Sequence, residues 1–429
     1  MPIILMISSK RIARTLLLFV LSVVSLNSFS QVDPTSSVSV SAGPSNNPSK
    51  PSDQPFAKLK EEVIQDKRFD RPIFQGKAGI SLFSEDTTSG PKSGTPSSNY
   101  MKGYILGNLY FTPDLYLSAN LRFNSDKGGV SFDYFDGLSA FWAELALRYD
   151  ADNYSLVMGH ASVNYSLSRD YMAGLWGKAY AKKEYGVDGM MVLGGSYKID
   201  GKKYGNHALS ATAFMVDTTG LSDTYGSTRD PTPLSIGGPA NTGKFNNFAF
   251  AIDGLNIAAL PKFRYQVAAV RLVTESLYVS ETKQYVPIQY LANEQRYVVA
   301  GMFNKLDIGA KVKLSPLLEY NRVINAGGIS GFNKSYYVGS LLFGYKKWNL
   351  GISAALWDAA WSKVPNAVKS KIPSNAYNSD RWNNEQIAIG YSFDNGIKAT
   401  LGYKKENEKT GTTNQTIGIN LKYDLPFAF

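Results

Sequence analysis

The chain has 429 residues, 45 Lys and Arg against 35 Asp and Glu, a formal net charge of +10, no cysteine and two histidines. The missing cysteines exclude a disulfide framework and thiolate chemistry, and two histidines exclude a multi-histidine metal site; no carboxylate run has calcium-loop spacing, so neither metal nor cofactor is expected. Its hydrophobic fraction is 44% with a mean hydropathy of -0.20, yet no apolar run reaches the roughly 20 residues of a membrane helix, so any crossing of a bilayer must use strands.

Residues 1–30 place Lys10, Arg11 and Arg14 ahead of an apolar run from Leu16 to Leu26, with Ser28 and Ser30 before Gln31. That order predicts a cleavable secretory signal peptide. Its removal takes the formal charge to about +7, because three cations leave and no acid does. The remaining basic residues do not form Lys/Arg blocks, so no nucleic-acid partner is expected.

Residues 31–55 are rich in Ser, Pro and Asn and cannot offset their own ordering entropy, which predicts a flexible linker. Within 56–74, Phe56, Leu59 and Val63 fall at helical spacing among Lys58, Lys60, Glu61 and Glu62. A short amphipathic helix follows, serving as a plug or anchor, or simply as a solvated helix.

From residue 75 to 429 the dominant pattern is period two, the signature of strands. Leu115 to Phe123 sets Tyr116, Ser118, Asn120 and Arg122 opposite an apolar face; Leu306 to Leu314 and Ile397 to Lys404 read the same way. Tight turns are expected at Thr112 to Asp114, Asp150 to Asn153, Leu260 to Lys262, Lys346-Lys347 and Asp394 to Gly396. Long polar connections lie between them: Glu85 to Asn99, Ser125 to Leu138, Ser168 to Val187, Thr218 to Asn246, Thr274 to Glu294 and Ala359 to Asn384.

Short turns on one rim and long loops on the other are how transmembrane barrels are built, and closure is required because hydrocarbon offers no partner to an unpaired backbone group. The expected fold is all-β: a closed antiparallel transmembrane β-barrel of about 16 strands (range 14–18), with short periplasmic turns and long extracellular loops. Its outward face should be apolar with aromatic residues at the interfaces, Trp142 and Trp348 among them.

The closing segment places Ile417, Ile419, Leu421, Tyr423, Leu425, Phe427 and Phe429 on one face and ends in phenylalanine. It resembles the terminal strand of Gram-negative outer-membrane porins. The resemblance implies that Tyr423, Phe427 and Phe429 are read by the barrel-assembly machinery, that the chain resides in the outer membrane among its lipids and lipopolysaccharide, and that it forms a homotrimer. Pro426 departs from an ideal strand, at a rim position that tolerates it.

Phasing each strand with its apolar face toward lipid sends Arg122, Arg148, Lys311, Lys313, Lys398, Lys404 and Lys422 inward, against Glu144, Asp307 and Glu319. A wall with more cations than carboxylates predicts a water-filled, weakly anion-preferring channel for small hydrophilic solutes. The alternative is that these lysines sit at the rims beside lipid head groups or in water.

The loop 168–187, third in order, carries Arg169, Asp170, Lys178, Lys182, Lys183 and Glu184, and is either a surface loop or a constriction of the kind the third loop makes in porins. Two other functions remain open: an adhesion or secretion scaffold, and a lipid-acting barrel hydrolase. For the latter, His160, Ser162 and Asn164 alternate on one face, and the His-x-Ser spacing resembles that of outer-membrane lipid A deacylases. The expected reading is not an enzyme.

Overall fold

The computed structural model describes residues 73–428 apart from 90–96, 126–133, 136, 226–231, 280–282, 310, 361–363, 365–367, 369–380 and 408–412. The expected signal peptide and linker, and the amphipathic helix up to residue 72, lie outside the described residues, as does Phe429.

Sixteen long strands form the wall. They are β1 (Ile73–Ser89), β2 (Ser97–Tyr110), β3 (Leu115–Asn124), β4 (Ser139–Asp150), β5 (Tyr154–Ala161), β6 (Met190–Asp200), β7 (Asn206–Val216) and β8 (Asn247–Ile257). The second half comprises β9 (Leu260–Leu272), β10 (Glu294–Phe303), β11 (Val312–Ile324), β12 (Asn333–Tyr345), β13 (Trp348–Ala360), β14 (Arg381–Ser392), β15 (Lys398–Asn407) and β16 (Thr413–Ala428). Each pairs antiparallel with its sequence neighbours. β16 returns to β1 in register from Gln75 opposite Ala428 to Ser89 opposite Asn414, so the sheet closes and leaves no edge. Among the described residues β1 runs from Ile73.

Alternation sets the two faces. On β11, Leu318 is 72% exposed and Tyr320 39%, whereas Glu319 is 4% and Asn321 0% exposed. On β16, Ile417, Ile419 and Leu421 are exposed while Thr416 and Asn420 are buried, the phase expected from sequence. A belt of such outward aliphatic and aromatic side chains is what a hydrocarbon band requires, and the inward polar set is buried by contents of the lumen. Replacing Leu318, midway along β11, with lysine is expected to lower the unfolding free energy in lipid vesicles by about 2–4 kcal/mol; a loss under ~1 kcal/mol places it outside the apolar band.

One strand expectation is corrected. Leu306 to Leu314 alternates in sequence, but β10 ends at Phe303 and Leu306–Asp307 folds back to pair with Leu314 and Lys313. Lys305, Gly309 and Lys311 all take positive φ, which a continuous strand does not allow. The segment is a turn. A second turn, at Gly201 to Gly205, joins β6 to β7, where no connection was expected.

Candidate functional site: a loop across the lumen

The connection between β5 and β6 does not stay at the surface. It carries two helices, α1 (Ser168–Tyr171) and α2 (Gly177–Tyr185), and runs across the inside of the barrel. Its first anchor is Glu319 on β11, whose carboxylate accepts from Ser166 Oγ at 2.7 Å, Ser168 N at 2.9 Å and Ser168 Oγ at 2.8 Å. Beside it Tyr165 OH donates to Asn321 Oδ1 at 2.6 Å and Asn164 Nδ2 to Asp253 Oδ2 at 2.9 Å.

Further along, Ser353 Oγ donates to Ala173 O at 2.9 Å, and Trp176 donates through its backbone N to Gln386 at 3.2 Å and through Nε1 to Glu85 on β1 at 2.7 Å. The indole lies so close to β16 that a Cβ on Gly418 would sit 2.6 Å from Trp176 Cζ2, so glycine is required there by close approach. The far end is held by Arg296, whose Nη1 donates to the carbonyls of Tyr185 and Gly186 at 2.9 and 3.3 Å. Every anchor satisfies a polar group that the loop buries, which is how irregular backbone is tolerated at membrane depth.

The loop thus fills the lumen along β8 to β14 and reaches β1. It faces β2 to β4 across a cavity of about 200 Å³ whose charged lining is Arg122, Glu144 and Arg148 from the wall and Arg169, Asp170 and Lys182 from the loop. Arg148 is paired with Glu144 at 2.8 Å and Arg169 with Asp188. Burial, with Arg122 and Arg169 nearby, pushes the Lys182 ammonium down to about 8.

A second basic group lies on the closing strands. Lys422 is 3.2 Å and Lys398 3.6 Å from the Asp424 carboxylate, which also accepts from Tyr104 OH. Lys77 and Lys178 act on the same neighbourhood. Although its side chain reaches solvent, the surrounding barrel partly desolvates Lys178 and lowers its ammonium despite the opposing pull of Asp170, and Lys422 lowers it further.

Of the residues read from sequence, Arg122, Glu144 and Arg148 come together with Arg169, Asp170 and Lys182 in this cavity. Lys404 is inside as well, 2.6 Å from Glu406 and 5.4 Å from the Trp176 ring. Lys313 shares the inward parity of Glu319 but is exposed at the short-turn rim. Asp307 and Lys311 are placed otherwise than expected: both lie in the β10–β11 turn, exposed, with Asp307 paired to Lys262 at 2.5 Å. The inward acid Glu319 is covered by the loop, so it does not face open lumen. Glu184 contributes its carbonyl to Tyr336 OH; Lys183 lies on α2 and its side chain is outside the described residues. Phe427 packs on Phe74 with ring centroids 5.5 Å apart, and Tyr423 sits over Gly396.

His160 stands apart from the lumen set. It shares parity with the exposed Tyr154, Leu156 and Met158, and it is buried with Nδ1 2.5 Å from Asp217 Oδ2. Burial opposes ionisation of Asp217, but hydrogen bonds from His160 and Thr219 prevail and hold its carboxyl below the usual range. Ser162, past the end of β5, lines the cavity with Arg122 instead. The residues that sequence phasing had not gathered are Lys77, Glu85, Trp176, Arg296 and Asp424.

No protein-family model matches the chain, and no curated protein matches its sequence. Solved structures are similar. OprB of Pseudomonas putida, 9% identical, matches 85% of this chain and 97% of its own with a TM-score of 0.55. The outer membrane channel DcaP of Acinetobacter baumannii, 11% identical, matches 82% and 97% with a TM-score of 0.49. A mutant of the Rh. blastica porin, 12% identical, matches 82% and 100% with a TM-score of 0.42. The OprB likeness, at that identity, shows the fold alone, which in this chain is a porin-like closed barrel of sixteen antiparallel strands.

Proposed function

We propose that the chain is an outer-membrane porin: a water-filled, weakly anion-preferring channel through which small hydrophilic solutes diffuse. The observation that supports this best is the β5–β6 loop, which crosses the lumen and leaves a cavity bordered by Arg122, Arg148, Arg169 and Lys182 against Glu144 and Asp170. Four cations less the two lining carboxylates and Asp188, the partner of Arg169, leave a net charge of +1. In water-like dielectric each unit charge at about 8 Å is worth roughly 0.5 kcal/mol to a monovalent ion, so the site enriches anions about twofold. A preference of that size is weak.

The remaining expectations belong to the same reading: export by a signal peptide cleaved after Ser30, assembly through Tyr423, Phe427 and Phe429, and a homotrimer. Lipid contact is supported by a groove on the outer face, where Ala269 lies between the larger Phe250 and Tyr297 and Arg271 stands at the long-loop end. An anionic lipid head group, as in lipopolysaccharide, suits that arrangement.

Reconstitution into planar bilayers tests the channel. Stable ohmic conductance is expected, with a zero-current potential of anion-selective sign under a salt gradient. A correctly folded barrel, identified by its heat-modifiable electrophoretic shift, that carries no current would favour a scaffold. The hydrolase reading lacks a serine on His160, since Ser162 turns toward the lumen cavity.

A further inference from the structure

Within the lumen cavity, Arg122 and Lys182 differ from the other cations. Arg148 and Arg169 each have a carboxylate partner, whereas neither Arg122 nor Lys182 has an ion pair within 4 Å among the described residues. Two unpaired cations on opposite sides of one small cavity repel each other, and each loses hydration to the surrounding wall. The Arg169 Nε–H, buried in the same lining, has no hydrogen-bond partner among the described residues. Natural structures seldom leave such donors unmet without a use for them.

We propose that this cavity is a binding subsite for a small dianionic oxyanion, of the sulfate or phosphate class, held between Arg122 and Lys182. With Arg148 and Arg169 neutralised by their partners, Arg122 and Lys182 supply the two positive charges that face a dianion, and about 200 Å³ takes an ion of this size with some of its water. Guanidinium and ammonium donors on opposite sides give charge-assisted hydrogen bonds to several oxygens at once, which chloride cannot exploit. The subsite therefore makes the channel saturable for such anions, where the general charge excess only enriches them. It rests on the channel reading for its access route and not for its binding chemistry.

Sulfate is the suitable probe, because its charge does not change between about pH 7 and pH 9.5. Lys182 is faced by Arg122 from β3, Glu144 and Arg148 from β4, Arg169 and Asp170 from α1 and Asp188 beyond α2. Carboxylates and guanidiniums as classes do not titrate in that window, and the lysine does. Calorimetric titration of sodium sulfate into the full barrel folded in detergent is expected to show one saturable site. Arg122→Gln and Lys182→Gln should each weaken it about tenfold or more, and Lys346→Gln, in the β12–β13 turn, should leave it unchanged. In the wild type the affinity should fall as pH rises through about 8, and in Lys182→Gln it should not.

Absence of saturable sulfate binding to the folded wild type, wild-type affinity in both cavity variants, or a flat wild-type pH profile would overturn the subsite. The wild-type profile stands even if a variant fails to fold. Chloride current through the same preparation separates the two readings: current without sulfate binding removes the subsite alone, and sulfate binding without current removes the channel alone.

Discussion

Glu319→Ala raises single-channel conductance severalfold in part of the recorded time and makes the trace noisy, because it frees the first half of the inward loop. The carboxylate accepts three hydrogen bonds from Ser166 and Ser168, and both serines are buried with it. Alanine strands the Ser168 N–H and leaves the two hydroxyls only each other and Tyr185 OH, where water does not reach them, a cost on the order of 3 kcal/mol that the loop escapes by lifting away. That is roughly a hundredfold increase in the undocked population. The second half stays in place through Trp176, Glu85 and Arg296, so the barrel opens wider without losing the loop altogether. Glu319→Gln, which keeps an acceptor oxygen, should be milder. Conductance and noise identical to wild type in Glu319→Ala would mean that the loop does not depend on this anchor.

The parts of the molecule that sequence made legible are those where the code is local. Side-chain parity is a property of consecutive residues, so β3 and β16 could be phased directly, and Arg122 and Lys422 fall on the lumen side as the alternation requires. The same parity carries Asp424 inward beside Lys422; it was legible and went unread. Alternation misled at Leu306 to Leu314 because a turn with apolar and polar residues in alternation is indistinguishable by period alone. Gly309 between Asp307 and Lys311 was the cue that the backbone reverses there. At β6–β7, Asp200-Gly201 offered a turn signal of the ordinary kind. The path of the loop is a different matter. Trp176 finds Glu85 at a sequence distance of 91 and Gln386 at 210, and Asp217 meets His160 at 57. No local pattern encodes such meetings: the Trp176 contacts depend on closure of the barrel bringing remote strands around one lumen, and the His160 contact on Asp217, past the end of β7, reaching back to β5.

Replacing both Arg122 and Lys182 with glutamate reverses the ionic preference of the channel. Of the four cations lining the cavity, Arg148 and Arg169 remain, and the carboxylates, Asp188 included, rise from three to five, so the net charge goes from +1 to −3. By the Coulomb scale of roughly 0.5 kcal/mol per unit charge at about 8 Å, the change moves the relative stability of a monovalent anion by about 2 kcal/mol, enough to turn a twofold anion enrichment into a cation enrichment of about tenfold. The zero-current potential under a potassium chloride gradient changes sign. The effect shrinks at high salt, where screening falls to about 3 Å at 1 M, so measurement belongs at low ionic strength. Wild-type selectivity carries a smaller version of the same change. Lys182 holds its proton only below about 8, so raising the pH through that value takes the site from +1 toward zero and weakens anion preference, while Lys182→Met removes the pH dependence and starts from the weaker value. A double variant that keeps the wild-type sign of potential would show that ions pass the barrel by a route these two side chains do not border.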